Sequence, residues 1–299
     1  MSNFEQLLEA GKFTVTAEIG PPMSVSASNV RKKAQGLKGY IDAAYLTDNQ
    51  TAIVRMSSIA AAVLVAQEGL EPVVQVVCRD RNRIAIQSDL LGAYALGLRN
   101  VLVLSGDHQS FGNHPGSKNV YDIDSIQLIH ALNHLQENGE FIGGSPCKVK
   151  PKFFLGGAGH PFADPLELQI MRMKKKIDGG AKFITTQAIY DIDKFRKWME
   201  LVRAQGLHKQ TYIQAGICVN KTLKSLQMTG LVAGMDVPEH LIERMANAED
   251  KQGEGVNIAV ELLQQIIEVE GVAGIHIMAI GWEEIVPTIV ERLHVLRRL

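Results

Sequence analysis

A (β/α)8 barrel, the closed α/β TIM fold with extra helices, is what this sequence predicts, and three observations predict it. Short β-branched runs alternate with longer amphipathic stretches about eight times along the chain. The length, 299 residues, suits one such barrel. The rival, an open doubly wound sheet, calls for a G-x-G-x-x-G turn after an early strand, and none is present. "GGAG" at Gly156 to Gly159 comes late and runs into His160-Pro161 rather than into a helix start.

The elements follow in order. "FTVTAEI" is a strand that ends near Glu18, because Gly20 and the two prolines after it cannot continue a ladder. "DAAYLT" ends a second strand at Thr47, "VVQVVC" a third at Cys78 and "NVLVLS" a fourth at Ser105. A polar loop, "GDHQSFGNHPGSKNVYD", follows the fourth. "KFFLGG" near Gly157, "KFITTQ" ending at Gln187, "TYIQAGI" near Ile217 and "GIHIMAI" near Ile280 complete the set. The helix after the fifth strand is the plainest: Leu166, Ile170, Met173 and Ile177 fall on one stripe, and Gly179-Gly180 stop it. "TGLVAGMDVPEHLIERMANAEDKQGEG", before the last strand, reads as additional helix. No linker or low-complexity tract divides the chain, so residues 1–299 are expected to form a single barrel domain.

Bulk properties exclude several classes of function. Lys plus Arg total 31 against 32 Asp plus Glu, so no basic excess is available to hold nucleic acid or an anionic membrane. No apolar run is long enough to span a bilayer, and the N-terminus lacks the charged and apolar regions of an export signal. The three cysteines, Cys78, Cys147 and Cys218, are far apart and form no C-x-x-C, so inert thiols are expected rather than disulfides or a zinc site. A cytoplasmic location fits these features.

In a barrel, functional groups collect at the carboxyl ends of the strands. Those ends supply Glu18, Thr47-Asp48, Gln75, Gly106-Asp107, His160 and Gln187. Each has a plainer explanation. Glu18 could pair with an arginine or lysine, Asp107 could cap a turn, Gln187 could satisfy rim backbone, His160 could be a loop residue, and Lys174 to Lys176 could be a solvated face. H-E-x-x-H, Walker and G-x-S-x-G motifs are absent, and metal-ligand spacing is not evident. A mouth of neutral polar groups with the carboxylates of Glu18 and Asp107 among them suits a heterocyclic ligand rich in donors and acceptors.

The motifs resemble those of the methylenetetrahydrofolate reductase family. "TAEIGPP" resembles its E-x-x-P-P, and "LTDN" stands in place of V-T-x-G. "LVLSGDH" resembles the L-R-G-D loop, and "GAGHPFADP" resembles A-x-Y-P-E-x-H-P. "KKKIDGGAKFITTQAIYD" is similar to K-x-D-A-G-A-x-x-x-I-T-Q-x-x-x-D, the most specific match, and "VAGIHIMAIGWEEIVPTIVERL" resembles the closing strand and helix.

The resemblance implies a flavin enzyme, with FAD preferred over FMN, that interconverts 5,10-methylenetetrahydrofolate and 5-methyltetrahydrofolate. It implies that Glu18 is the general acid toward N10 and that Asp107 stabilises a cationic iminium. Glu18, Asp107 and Gln187 would contact the folate. Thr47, Gln75, Ser105, Gly106, Asp107, Tyr121, Ala158, His160, Asp164 and Lys176 would hold the flavin. NAD(P)H or an electron-transferring partner subunit would be the donor, and an oligomer is expected.

This sequence departs from the pattern at several positions. Ser105 replaces an arginine, Gln75 a common histidine, His160 a tyrosine and Asp164 a histidine. No counterpart of a Gln and Phe pair is evident near Ser225 to Met228, and "MAIGW" replaces a tyrosine and asparagine. Two other functions remain open on the sequence: a pterin-binding methyltransferase barrel, and a non-catalytic subunit of a larger reductase.

Overall fold

A computed structural model describes residues 1–232 and 234–293. Eight parallel strands form: β1 (Thr14–Ile19), β2 (Ala43–Leu46), β3 (Pro72–Val77), β4 (Asn100–Leu104), β5 (Phe154–Gly159), β6 (Phe183–Ala188), β7 (Tyr212–Cys218) and β8 (Val272–Met278). They pair in chain order, and β8 returns to β1 with Ala17 opposite Ile277, which closes the barrel. Each predicted strand is found where the β-branched runs place it. Thr47, Cys78 and Ser105 lie one residue past their strands, and β8 stops at Met278.

The helices along the chain are α1 (Asn3–Glu9), α2 (Ala27–Leu37), α3 (Ser58–Gln67), α4 (Arg83–Ala95), α5 (Ser125–Asn138), α6 (Leu166–Asp178), α7 (Ile192–Ala204), α8 (Leu223–Gly230), α9 (Glu239–Asn247), α10 (Lys251–Ile267) and α11 (Val286–Leu293). The predicted stripe on α6 buries Ile170 and Met173, and α9 lies in the segment expected to add helix.

Two apolar regions hold the molecule. The larger lies between the strands and the helical ring, with Val15, Ala17, Ile184, Trp198 and Ile277 among its fully buried members. The smaller fills the amino-terminal end of the barrel. Here Phe4 and Leu8 of α1 enter among Ala43, Tyr45, Val73, Leu102, Phe154 and Phe183. Phe4 meets the rings of Phe183 and Phe154 edge-on at 5.5 and 5.8 Å, a preferred aromatic geometry. A Ser2–Glu5 capping box fixes the start of that plug.

Further toward the carboxyl end the interior turns polar. Thr14 donates to Gln214, Tyr45 meets Thr185 at 3.1 Å, and Thr16 meets His276 at 2.9 Å. An apolar plug at one end therefore leaves the functional chemistry to the other.

Candidate active site

Thr14, Thr16 and Glu18 alternate onto the inner face of β1. Glu18 is thus carried to the carboxyl-end mouth, where it is only 8% exposed. Its carboxylate is well supplied. Gln75 Nε2 of β3 donates to Oε1 at 3.2 Å, and Gln50 Nε2 donates to Oε2 at 3.3 Å. His276 Nε2 of β8 lies 3.7 Å from Oε1. No arginine or lysine pairs with it among the described residues, so the plain ion-pair explanation fails.

Gln50 belongs to a strained loop after β2. Asn49, Thr51 and Ala52 have φ of 45°, 55° and 56°, in the left-handed region that non-glycine residues rarely occupy. The loop after β4 holds it there. Thr51 N–H donates to Asp107 Oδ2 at 3.2 Å, and Val54 N–H donates to Asn113 Oδ1 at 3.1 Å. At Gly112 a Cβ would fall 1.8 Å from the Ala52 carbonyl oxygen, so only glycine permits this approach. Two adjacent residues, Gln50 and Thr51, therefore bind the two candidate carboxylates, Glu18 from the barrel wall and Asp107 from the facing loop.

Asp107 itself is exposed, and its backbone is held from below. Arg79, 2% exposed, donates to the carbonyls of Asp107 at 3.0 Å and Asn49 at 3.1 Å while pairing with Asp80. Gly106 has φ +88°, and Tyr121 donates to its carbonyl at 3.1 Å. Thr47 follows the inward alternation of Ala43 and Tyr45; its Oγ1 is buried and has no hydrogen-bond partner among the described residues. Asp48 turns away to Arg81 and to the Val77 N–H, and burial holds its carboxyl above the usual range against the pull of Arg81. Ser105 likewise turns outward, 3.2 Å from Ser125 of α5.

A second group sits across the mouth on β5 and α6. Lys176 is buried, unlike the exposed Lys174 and Lys175, and its Nζ donates to the Ala158 carbonyl at 2.6 Å. Burial, reinforced by Arg172, pushes Lys176 down to about 8. Burial also pushes His160 down to about 4, with Lys176 and Arg172 adding to it, which keeps the ring neutral at pH 7. Asp164 is exposed in the same β5–α6 connection. Gln187 is half-buried near the end of β6, where the pairing with β7 shifts register.

The predicted site residues thus fall into two banks. Glu18, Thr47, Gln75, Gly106, Asp107 and Tyr121 form one; Ala158, His160, Asp164, Lys176 and Gln187 lie on β5, the β5–α6 connection, α6 and β6. Gln50, Arg79 and His276 were not singled out in the sequence. The available signals were a histidine inside the alternating run "GIHIM" and the doubled arginine of "CRDRN". Burial pushes the thiols of Cys78 and Cys218 up, to about 12 and about 11, as inert core cysteines require. Among the described residues no cluster of three or more His, Cys, Asp or Glu could hold a metal ion.

Comparisons with known proteins complete this picture. The family model for methylenetetrahydrofolate reductase matches residues 3–294. Methylenetetrahydrofolate reductase 1 of Schizosaccharomyces pombe is 27% identical over 227 residues, covering 73% of this chain and 35% of its own length. Probable methylenetetrahydrofolate reductase (NADPH) of Caenorhabditis elegans is 23% identical over 97% of this chain and 43% of its own. The 5,10-methylenetetrahydrofolate reductase of Pectobacterium carotovorum subsp. carotovorum is 24% identical over 73% of this chain and 67% of its own. The chain therefore spans 35% of the length of the first of these relatives and 43% of the second. Among solved structures, a Clostridium thermocellum protein described as binding two copies of 5-methyl-5,6,7,8-tetrahydrofolic acid superposes with a TM-score of 0.68 at 16% identity, covering 98% of this chain and 99% of that one. That likeness shows the shared barrel. With the family match running almost from end to end, this chain belongs to the methylenetetrahydrofolate reductase family.

Proposed function

We propose that this chain is a flavin-dependent reductase that interconverts 5,10-methylenetetrahydrofolate and 5-methyltetrahydrofolate. The observation that carries the reading is the Gln50–Thr51 bridge, which sets one buried and one exposed carboxylate on the same bank of the mouth. The names of the curated relatives support it.

The residues fit a flavin. The unpartnered Thr47 Oγ1 offers a hydrogen bond. Lys176 and Arg172 supply positive charge near His160 for the phosphate of the tail, which FAD and FMN both carry. Thr47, Gly106, Asp107 and Tyr121 on one bank, and Ala158, His160, Asp164 and Lys176 on the other, would hold it. Gln75 and Ser105 have their side chains engaged elsewhere, with Glu18 and Ser125. When bound, the flavin supplies the hydride for the methylene carbon.

The rest falls to the chain. Glu18 gives a proton to N10 of the folate. The bond from N10 to the methylene carbon opens, its electron pair stays on N10, and a cationic iminium is left at N5. The Asp107 carboxylate, placed beside that cation, stabilises it. Gln50 and Gln75 then solvate the Glu18 anion in place of the water its burial excludes.

For electrons, we favour a partner subunit over direct use of NAD(P)H. α8 holds no aromatic residue, and Trp282 is 7% exposed with Lys221 Nζ 5.3 Å from its ring, so a nicotinamide finds little stacking surface there. Phe111 is exposed on the loop after β4. The test is to assay the purified chain with NADH, NADPH and reduced viologen in parallel, following flavin absorbance and 5-methyltetrahydrofolate. Reduction by viologen with product formation is expected. Rapid reduction by micromolar dinucleotide would reject the partner. A colourless chain that passes methyl to cobalamin would replace the reductase reading with a methyltransferase.

A further inference from the structure

The polar interior of the barrel places a histidine where the proposed acid needs a companion. Thr16 Oγ1 donates its one hydrogen to the Ile275 carbonyl at 3.1 Å. The same oxygen lies 2.9 Å from His276 Nδ1. Taking that hydrogen as given to the carbonyl, which can only accept, Thr16 accepts from the imidazole and Nδ1 carries a hydrogen. Nε2 then faces Glu18 Oε1 at 3.7 Å. A bare lone pair turned toward a carboxylate oxygen in this buried place is repulsive, whereas one proton between the two atoms makes the contact attractive. The tilted Tyr45 ring, 4.3 Å from the imidazole, fixes its plane.

We propose that His276 is a positioning residue that keeps one proton at Glu18, held in the required tautomer by Thr16. This rests on the reductase reading above. The other titratable neighbours do not compete for the proton. Burial raises the Tyr45 hydroxyl on β2 and raises Cys218 on β7 to about 11, so both stay protonated and neutral. Gln75 on β3 and Gln50 from the loop are amides. In each turnover one proton leaves the pair for N10, and one returns from water at the mouth. The separation of 3.7 Å is that of the ligand-free site, and such catalytic contacts shorten when substrate closes the mouth.

The experiment uses three variants of the full chain: His276→Gln, Thr16→Val and Thr16→Ser. Flavin content by absorbance is expected to equal that of the parent in all three. In single-turnover oxidation of the reduced flavoprotein by 5,10-methylenetetrahydrofolate, His276→Gln lowers the maximal rate by a factor on the order of 10 to 10², with little change in half-saturating folate. Thr16→Val lowers it in the same way, and Thr16→Ser restores it. Nitrogen-15 NMR, with the His276 resonances identified by their loss in His276→Gln, shows the proton on Nδ1 in the parent and on Nε2 in Thr16→Val. If His276→Gln does not fold, the rates of Thr16→Val and Thr16→Ser decide. Parent rates in His276→Gln or Thr16→Val, or the same protonated nitrogen with and without the Thr16 hydroxyl, overturn the proposal. A parent that does not turn over the folate sinks the reductase reading instead, and the nitrogen assignments still judge the Thr16–His276 arrangement.

Discussion

Asp107 shows how far one side chain can be read from its neighbours. It is exposed, yet Arg79 grips its backbone carbonyl and Thr51 N–H binds its carboxylate, so it is placed rather than free. A carboxylate beside a developing cation acts in the transition state. Asp107→Asn should therefore slow the folate half-reaction by a factor on the order of 10² to 10³ while flavin content stays near that of the parent. Stopped-flow traces with unchanged folate kinetics would return Asp107 to the role of a turn residue. Both candidate carboxylates could be found in the sequence because each follows an apolar strand run. Their partners could not. Gln50 looks like any loop amide, and His276 lies 258 residues from Glu18, so only closure of the barrel makes them neighbours. Lys176 hid for the opposite reason: three adjacent lysines suggest a solvated face, and only helical phase turns the third inward.

Among elements, the strands were the most legible, since β-branched runs between turn residues survive any tertiary context. Their ends were less so, because a residue such as Thr47 keeps the inward alternation after the ladder has stopped. The α1 plug was not expected at all. Its seven residues carry only two buried side chains, Phe4 and Leu8, too few to show a period. Its role still has a measurable consequence. Phe4→Ala should cost about 3–5 kcal/mol of stability, the usual loss for a buried phenylalanine, read as a lower denaturant midpoint. The folate half-reaction should change little, because the proposed chemistry lies at the other end of the barrel. A variant as stable as the parent would mean that the amino-terminal end is closed by other groups.

For the whole molecule, the buried bases on the second bank set a pH dependence. His160 sits near 4 in the folded chain against an ordinary value of 6.5. Between these values the unfolded chain binds more protons, so stability rises with pH across that window and is lost as pH falls through it. The loss is on the order of 2 kcal/mol, discounted because the ring keeps some contact with solvent. Chemical denaturation at pH 6.5 and pH 4 should show it, and His160→Gln should flatten that part of the slope; an unchanged slope would assign the acid sensitivity to other groups. Lys176, near 8 against 10.5, adds a second rise between those values.

In the proposed reaction Glu18 protonates the folate at the mouth of this barrel. The most direct test loads the parent chain and Glu18→Gln with flavin, reduces both with viologen, and mixes each with 5,10-methylenetetrahydrofolate in a single turnover. The expected result is equal flavin content and equal reduction, with 5-methyltetrahydrofolate formed by the parent and almost none by Glu18→Gln, because only the second step needs a proton on N10. Product formation by Glu18→Gln at the parent rate would contradict the account.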